Sequence, residues 1–343
     1  MWSVRRGTAI AAGAAVVLAL TGCLRADGPS GEPAATAGRS ITFTASGDVG
    51  TTDEAAGTLA QIGRLAPDVH FALGDLSYGA PGEEEAWCDF VTTHVGAEVA
   101  FELLTGNHES NGDDGDIRAF AECLPNRLPG LIGDYPSQYA VDLPADAPLV
   151  RFVMISPAIT FPDGTWSYGA GSDRLEWTER AILGARDAGI PWVVVGMHKP
   201  CLSVGNYDCD PGSELVDALV EAGVDLVIGG HEHLYQRSMQ LSISGGCPSV
   251  APGAVTLDCV ADDDDDLVQG AGTVFVTAGT GGTTLRDVRA DDADAPYFAA
   301  WSGANVEPSW GNIEVRASEE VLDLEFVPAI GTFTDRVRIR ATG

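Results

Sequence analysis

The chain has 343 residues and a formal net charge of −31 at pH 7, with 50 acidic and 19 basic residues. Such an excess of carboxylates argues against nucleic-acid polymers as partners, because phosphate backbones are bound by basic surfaces. Apolar residues make up 45% of the sequence, which is enough to build a full hydrophobic core.

A secretory signal is predicted over residues 1–22. Arg5 and Arg6 precede an alanine-rich apolar run at 8–20 that is too short to span a membrane. The following Leu-Thr-Gly-Cys, at 20–23, resembles the bacterial lipobox, in which the cysteine is lipidated. We therefore predict an exported lipoprotein, anchored through Cys23 to the outer face of the cell membrane. An ordinary cleaved signal is the alternative.

Residues 23–40 are predicted to form a flexible tether, because they are rich in Ala, Gly, Pro and Ser without an apolar period. The remainder, 41–343, is predicted to be one domain. Six cysteines other than Cys23 are present, and an even number in an exported protein indicates three disulfides. Sequence proximity favours the pairs Cys88–Cys123, Cys201–Cys209 and Cys247–Cys259.

Strands and helices are predicted to alternate in the first two thirds of the domain. The predicted strands are 40–46, 69–73, 99–104, 138–141, 149–155, 191–195 and 224–228. The predicted helices are 54–65, 83–94, 172–188 and 213–222, and Asp173 with Glu176 is predicted to cap the third. Residues 110–136 are polar and rich in Asp, Gly and Pro, which predicts an irregular loop.

Strands dominate the rest of the domain, at 234–243, 272–278, 312–316, 321–326 and 336–339. These strands are expected to complete the sheet architecture. The acidic run 262–266 is predicted to be a solvated loop, with a calcium site as the alternative.

Five predicted strands end in side chains that commonly bind metal ions. These are Asp48; Asp75 with Tyr78; Asn107 with His108; His198; and His231 with His233. Because ligands bind at the carboxyl ends of strands in open α/β sheets, we expect these side chains to meet. In an extended segment His231 and His233 would point to the same side.

The donor types suit two different ions. Asp48, Asp75 and a Tyr78 phenolate are anionic ligands for a trivalent ion, whereas imidazoles and the Asn107 amide suit a divalent one. The two oxygens of Asp75 could bridge both ions.

Together the five motifs resemble those of the purple acid phosphatases, within the calcineurin-like metallophosphoesterases. In chain order they are Gly-Asp-x-Gly (47–50), Gly-Asp-x-x-Tyr (74–78), Gly-Asn-His-Glu (106–109), Val-x-x-His (195–198) and Gly-His-x-His (230–233). The resemblance covers about residues 41–340. It implies an α/β (α+β) fold, a four-layer αββα sandwich of two mixed β-sheets flanked by helices.

The resemblance also implies a role for each of these residues. The implied Fe(III) ligands are Asp48, Tyr78 and His233, the implied ligands of a divalent Fe, Zn or Mn ion are Asn107, His198 and His231, and Asp75 would bridge the two ions. His108 would be the catalytic general acid for the leaving group. The implied activity is acid-phosphatase hydrolysis of small phosphate monoesters, with in-line attack by a metal-bound hydroxide.

Two other functions stay open. A phosphodiesterase of the same superfamily usually has His where Gly50 stands and lacks the motif that contains Tyr78. A surface lipoprotein that only binds iron or phosphate would not require His108. Assays with a monoester and with a diester would distinguish a phosphodiesterase from a phosphomonoesterase. Activity after metal loading would distinguish an enzyme from a binding protein.

Some family members place further histidines around the leaving group. In this chain the remaining two, His70 and His94, lie within a predicted strand and a predicted helix and are interpreted as structural. Lys199, Tyr207 and Arg237 are candidates to line the pocket instead.

Overall fold

A computed structural model describes residues 38–342. Its secondary structure follows the apolar periodicity of the sequence. The strands are β1 Ser40–Ser46, β2 Val69–Ala72, β3 Ala100–Leu103, β4 Ile132–Asp134, β5 Gln138–Leu143, β6 Val150–Ile155, β7 Thr160–Phe161, β8 Gly164–Thr165, β9 Trp192–Met197, β10 Leu226–Gly229, β11 Tyr235–Ser238, β12 Gln240–Leu241, β13 Val260–Asp262, β14 Asp266–Val268, β15 Val274–Ala278, β16 Phe298–Ser302, β17 Trp310–Ser318, β18 Val321–Ile330 and β19 Asp335–Arg340. The helices are α1 Asp53–Leu65, α2 Glu84–Val95, α3 Ile117–Cys123, α4 Asp173–Asp187 and α5 Ser213–Glu221.

Two large mixed sheets contain most of the strands. The first has the order β14-β19-β18-β17-β1-β2-β3, and β1, β2 and β3 run parallel. The second has the order β16-β11-β15-β10-β9-β6-β5-β4, and β15, β10, β9 and β6 run parallel. In the register of the first sheet, Phe43 of β1 lies opposite Val69 on one side and Val315 on the other. Loops can therefore follow the carboxyl ends of the parallel strands β1, β2 and β3 in one sheet and of β9 and β10 in the other.

The main hydrophobic core lies between the two sheets. Phe43, Phe71 and Phe152 meet there, with ring centroids 4.6–6.4 Å apart. Two further apolar clusters line the outer faces of the sheets. One includes buried residues of α1, α2 and α3, and the other includes those of α4 and α5. This arrangement is the predicted four-layer sandwich of two mixed sheets flanked by helices.

The helix ends show how local sequence sets the boundaries. Thr52 caps α1 by accepting a hydrogen bond from the Ala55 amide. Ser172 caps α4 by accepting from the Leu175 amide, so the prediction that Asp173 and Glu176 form the cap was wrong. A hydroxyl one residue earlier reaches the free amides of the first turn, which leaves both carboxylates as favourable first-turn charges.

Three other local predictions were wrong in part. Residues 110–136 contain α3 and β4, because Ile117 and Phe120 supply a small buried face that the surrounding polar residues mask. The predicted strand 234–243 is broken into β11 and β12. The acidic run is a solvated loop only at 263–265, since Asp262 ends β13 and Asp266 begins β14, and ion pairs join Asp266 to Arg340 and Asp265 to Arg237.

The three predicted disulfides are confirmed as Cys88–Cys123, Cys201–Cys209 and Cys247–Cys259. Among residues 38–342, no helix has the length and apolar content needed to cross a membrane. The predicted signal, Cys23 and nearly all of the tether lie outside the described residues. The assignment of 41–343 as a single catalytic domain stays a prediction.

Candidate metal centre

The site is built from loops at the carboxyl ends of parallel strands in both sheets. Asp48 follows β1, Asp75 follows β2 and Asn107 follows β3 in the first sheet. His198 directly follows β9, and His231 lies just beyond β10, in the second sheet. The stacking of the two sheets brings these loops together, as the sequence pattern predicted.

One group of side chains surrounds the Tyr78 phenol. Its oxygen lies 3.1 Å from Asp48 Oδ1, 3.3 Å from Asp75 Oδ2 and 3.2 Å from His233 Nε2. His233 Nε2 also lies 3.3 Å from Asp48 Oδ1. Asp48, Asp75 and His233 are buried, and one donor atom from each lies within 4.8 Å of the others, as a shared metal ion requires.

A second group surrounds the other oxygen of Asp75. His198 Nε2 lies 3.2 Å from Asp75 Oδ1 and 3.1 Å from Asn107 Oδ1. Donor atoms of His231, His198 and Asp75 lie within 4.8 Å of one another. Asp75 therefore belongs to both groups and presents a different oxygen to each.

Backbone carbonyls fix the orientation of two imidazoles. His198 Nδ1 donates to the Leu73 carbonyl at 2.8 Å, and His233 Nδ1 donates to the Thr284 carbonyl at 3.1 Å. A carbonyl can only accept, so the proton of the neutral ring sits on Nδ1 and the Nε2 lone pair faces the centre. This is the arrangement that a metal-binding histidine needs.

Four residues of the centre adopt left-handed backbone angles. The φ values are 61° at Asp48, 53° at Asp75, 54° at Tyr78 and 70° at His231. Each costs on the order of 1 kcal/mol or more, and such strain concentrates at functional sites. The angle at His231 also shows that the expectation of an extended 231–233 segment was wrong. The two imidazoles reach different groups by way of a turn.

A buried carboxylate ties two of these loops together. Glu109 accepts hydrogen bonds from the amides of Asp75, Leu76 and Gly106. A Cβ at Gly106 would lie 2.2 Å from the Asp75 amide, so only glycine permits this close approach. Burial and the charge of Asp75 raise the pKa of Glu109 to about 7. Glu109 lies within one of the sequence motifs, but the sequence gave no indication that its carboxylate would connect the two loops.

The electrostatics of the centre favour a cation. Burial opposes the charged form of His198, yet Asp75 outweighs this and raises the pKa of His198 to about 9. Burial and the carboxylates of Asp48 and Asp75 raise the pKa of the Tyr78 phenol well above its usual value. The negative charge of the carboxylates contributes to both pKa shifts, because it stabilises the protonated imidazole and the neutral phenol, whereas burial opposes the first shift and adds to the second.

His108 lies at the edge of the two groups. Its Nε2 atom is 3.6 Å from Asp75 Oδ2, and its ring packs on Tyr78 with centroids 4.5 Å apart. Its Nδ1 atom donates to Asp114 Oδ2 at 2.6 Å. Sequence reasoning missed Asp114, which lies in a run of Asp and Gly where no spacing distinguishes it from its neighbours.

The structure thus brings together all eight residues that the sequence singled out. The donor set fits two metal ions, because two carboxylates, a phenol, an amide and three imidazoles converge in a buried space. That these residues bind metals stays a prediction.

The three residues suggested to line the pocket lie in different surroundings. Tyr207 stacks on His231, with ring centroids 4.1 Å apart, and Lys199 pairs with Asp210 at 2.6 Å. The suggestion that Arg237 lines the pocket was wrong, because it is buried against Asp335 and Asp265.

Both remaining histidines have structural surroundings. His70 is buried, and its Nδ1 lies 2.9 Å from the Thr44 hydroxyl. His94 Nδ1 donates to the Phe90 carbonyl one helical turn earlier.

Several known proteins resemble this chain in sequence. An uncharacterized protein of Mycobacterium tuberculosis is 30% identical over 237 residues, which is 65% of this chain and 44% of the relative. The Fe(3+)-Zn(2+) purple acid phosphatase 12 of Arabidopsis thaliana is 25% identical over 262 residues, 71% of this chain and 50% of the relative. The chain thus spans about half the length of these relatives.

The fold has a similar counterpart among solved structures. The purple acid phosphatase PPD1 of yellow lupin superposes with a TM-score of 0.63, covering 89% of this chain and 54% of the lupin protein. Their sequences are 17% identical, so this likeness concerns the fold. The model of the calcineurin-like phosphoesterase family matches residues 41–235, which is more than half of the sequence. The chain therefore belongs to the calcineurin-like phosphoesterase family.

Proposed function

We propose that this protein is a binuclear-metal phosphomonoester hydrolase of the acid phosphatase type. The observation that carries the proposal is the position of Asp75, which offers one oxygen to each of two ligand groups. The relatives named purple acid phosphatase support the same function.

The two groups suit different ions. Asp48, Tyr78 and His233 would bind Fe(III), because a hard trivalent ion favours carboxylate and phenolate oxygens. Asn107, His198 and His231 would bind a divalent Fe, Zn or Mn ion, for which imidazole and amide ligands suffice. Asp75 would bridge the two. A relative whose name includes Fe(3+)-Zn(2+) is consistent with this division.

The metal pair, when bound, supplies Lewis acidity that polarises the phosphate ester and lowers the pKa of a water. The residues of the chain supply position and protons. His198 and His233 are fixed by backbone carbonyls, so the ligand geometry is set before substrate binds. His108 is held at Nδ1 by Asp114 and directs Nε2 toward the centre. In its protonated form it would donate the Nε2 proton to the leaving oxygen as general acid.

We propose the same location and organisation that the sequence indicates. Residues 41–343 would be the catalytic domain, exported by the 1–22 signal and held by lipid on Cys23, with 23–40 as the tether. Substrates would then be small phosphate esters outside the cell membrane.

The test is a metal analysis combined with a paired assay. Natively purified protein should contain two metal ions per chain, iron among them, and should hydrolyse p-nitrophenyl phosphate faster than bis(p-nitrophenyl) phosphate. Asp75→Asn should lose bound metal and activity together, because one residue serves both groups. Asp68→Asn is the matched control, since Asp68 is exposed and accepts the Thr42 amide at the opposite end of β2.

Three results would overturn the proposal. A diester preference would indicate a phosphodiesterase. Metal-loaded protein with no activity on either ester would indicate a binding protein. Full activity in Asp75→Asn would show that the two groups are not the active site.

A further inference from the structure

The loop between β9 and α5 brings Tyr207 to the edge of the metal centre. The Cys201–Cys209 disulfide closes this loop at its base. The Tyr207 ring stacks on the His231 imidazole, with the planes inclined by only 20°. Tyr207 is nevertheless 41% exposed, so it lies at the surface of the molecule beside the centre.

Glu232 holds this loop in position through hydrogen bonds. In the sequence Glu232 stands between the two histidines of its motif, and its side chain is fully buried. It accepts hydrogen bonds from the Ser203 hydroxyl and from the amides of Asn206 and Tyr207. A Cβ at Gly205 would lie 2.1 Å from the Glu232 carboxylate, so a larger residue there would displace the carboxylate from these hydrogen bonds. Tyr207 is therefore rigidly positioned relative to His231.

Arg286 reaches the same place from another loop. Its guanidinium carbon lies 4.6 Å from the centroid of the Tyr207 ring, and its Nη1 is 3.5 Å from the His231 carbonyl. Its backbone is fixed as well, because its amide donates to His233 and its carbonyl accepts from Ala304. The side chain is half-buried.

The charge of Arg286 is not neutralised by a nearby carboxylate. Within residues 38–342, most arginines pair with Asp or Glu, but no acidic group lies at ion-pair distance from Arg286. The neighbouring Lys199 is paired with Asp210, and Arg289 with Asp292. In a chain of net charge −31, an unpaired guanidinium beside the metal centre marks a place for an external anion.

We propose that Arg286, supported by Tyr207, binds a second anionic group of the substrate, so that phosphate esters carrying a second phosphate are preferred. This inference rests on the proposed function of the metal centre. The ester phosphate would lie at the centre, and the second phosphate would lie at the guanidinium, beside the Tyr207 ring. Arginine suits this role because its fork of N–H donors matches phosphate oxygens.

The test compares fructose 1,6-bisphosphate with fructose 6-phosphate, which share a scaffold and a bond type. The wild type should show a higher kcat/KM for the bisphosphate, and Arg286→Gln should reduce the ratio of the two values about 10-fold, mainly through KM. Arg286→Lys should restore part of the ratio, because it restores the charge without the fork. Arg289→Gln removes an equal charge nearby and should leave the ratio unchanged.

A binding measurement separates this inference from the function of the centre. Pyrophosphate and inorganic phosphate are titrated calorimetrically into the metal-loaded wild type and Arg286→Gln. Pyrophosphate should bind the wild type more tightly than phosphate does, and Arg286→Gln should remove that difference. If the metal-loaded wild type hydrolyses neither sugar phosphate nor p-nitrophenyl phosphate, the proposed function fails while the titration still tests Arg286. An equal loss of the bisphosphate preference in Arg289→Gln, or a wild type without any preference, would overturn the inference.

Discussion

At the residue scale, the centre depends on side chains that each have two contacts. His198 and His233 donate from Nδ1 to a carbonyl and present Nε2 to the centre. His108 follows the same rule with a carboxylate, since Asp114 accepts from its Nδ1. In each case the partner at Nδ1 fixes the ring so that Nε2 faces the centre, whether it serves as a ligand or as a proton donor.

His108→Ala tests the proposed acid. We expect kcat to fall about 10²–10⁴-fold for esters of poor leaving groups such as alkyl alcohols. The loss should be much smaller for p-nitrophenyl phosphate, because nitrophenolate leaves without a proton. Bound metal should be unchanged. Equal losses across a series of leaving groups would contradict the role.

Tyr78→Phe tests the proposed iron ligand. A tyrosine with a reference pKa near 10 is a phenolate at neutral pH only when a strongly acidic ion binds it, and the site raises the pKa of Tyr78 further. Fe(III) bound to the phenolate would give a visible charge-transfer band and a purple colour. The variant should lose this band and part of its activity while retaining the fold. An iron-loaded variant that kept the colour would show that another residue is the ligand.

At the element scale, β3 contains a buried carboxyl group that lies outside the metal centre. Glu102 has an exposure of 0%, and its Oε1 accepts the Arg127 amide at 2.8 Å. Its Oε2 has no hydrogen-bond partner among residues 38–342. Burial raises the pKa of Glu102 to about 7. The strand thus tolerates this carboxyl group in its neutral form and is destabilised when it ionises.

Glu102→Gln should stabilise the protein above neutral pH. The unfolded chain releases the Glu102 proton near pH 4.3, while the folded chain holds it to about pH 7, so wild-type stability falls across that window. Glutamine has no proton to lose, and the variant should gain roughly 3–4 kcal/mol on the wild type by pH 8. At pH 4 the two should be nearly equal. Urea unfolding at both pH values measures the difference, and a gain independent of pH would rule out this explanation.

The elements also show what the sequence could and could not predict. The strand ends that carry the candidate ligands were predictable, because apolar runs ending in Asp, Asn or His are local signals. The contacts of Asp114, Glu232 and Arg286 were not, since each joins segments that are distant in sequence or sits among similar residues. Arg237 is the opposite case, a residue that the sequence suggested for the pocket and that lies elsewhere. It lies close in sequence to His233, but β11 turns its side chain into the ion pair with Asp335.

At the scale of the whole molecule, the packing of the two sheets and the net charge of the chain both affect the metal centre. The centre joins loops from both sheets, so the core between the sheets fixes its geometry. The acidic surface repels anionic substrates in solution, and only local cations can offset that repulsion. Metal ions at the centre and Arg286 beside it would provide this positive charge where an ester must bind. A polyanionic protein is also poorly suited to bind an anionic lipid surface by charge.

We predict that a covalent lipid on Cys23 attaches the protein to the membrane, and Cys23→Ala tests this. The wild type should sediment with membranes and incorporate labelled palmitate, because two or more acyl chains give a stable anchor where one chain binds reversibly. The variant should be exported without lipid and should lose its membrane attachment, with phosphatase activity per molecule unchanged. Cell fractionation and mass analysis of the N-terminus measure both properties. A wild-type protein found free in the medium with an unmodified cysteine would contradict the anchor, and so would identical fractionation of the two proteins.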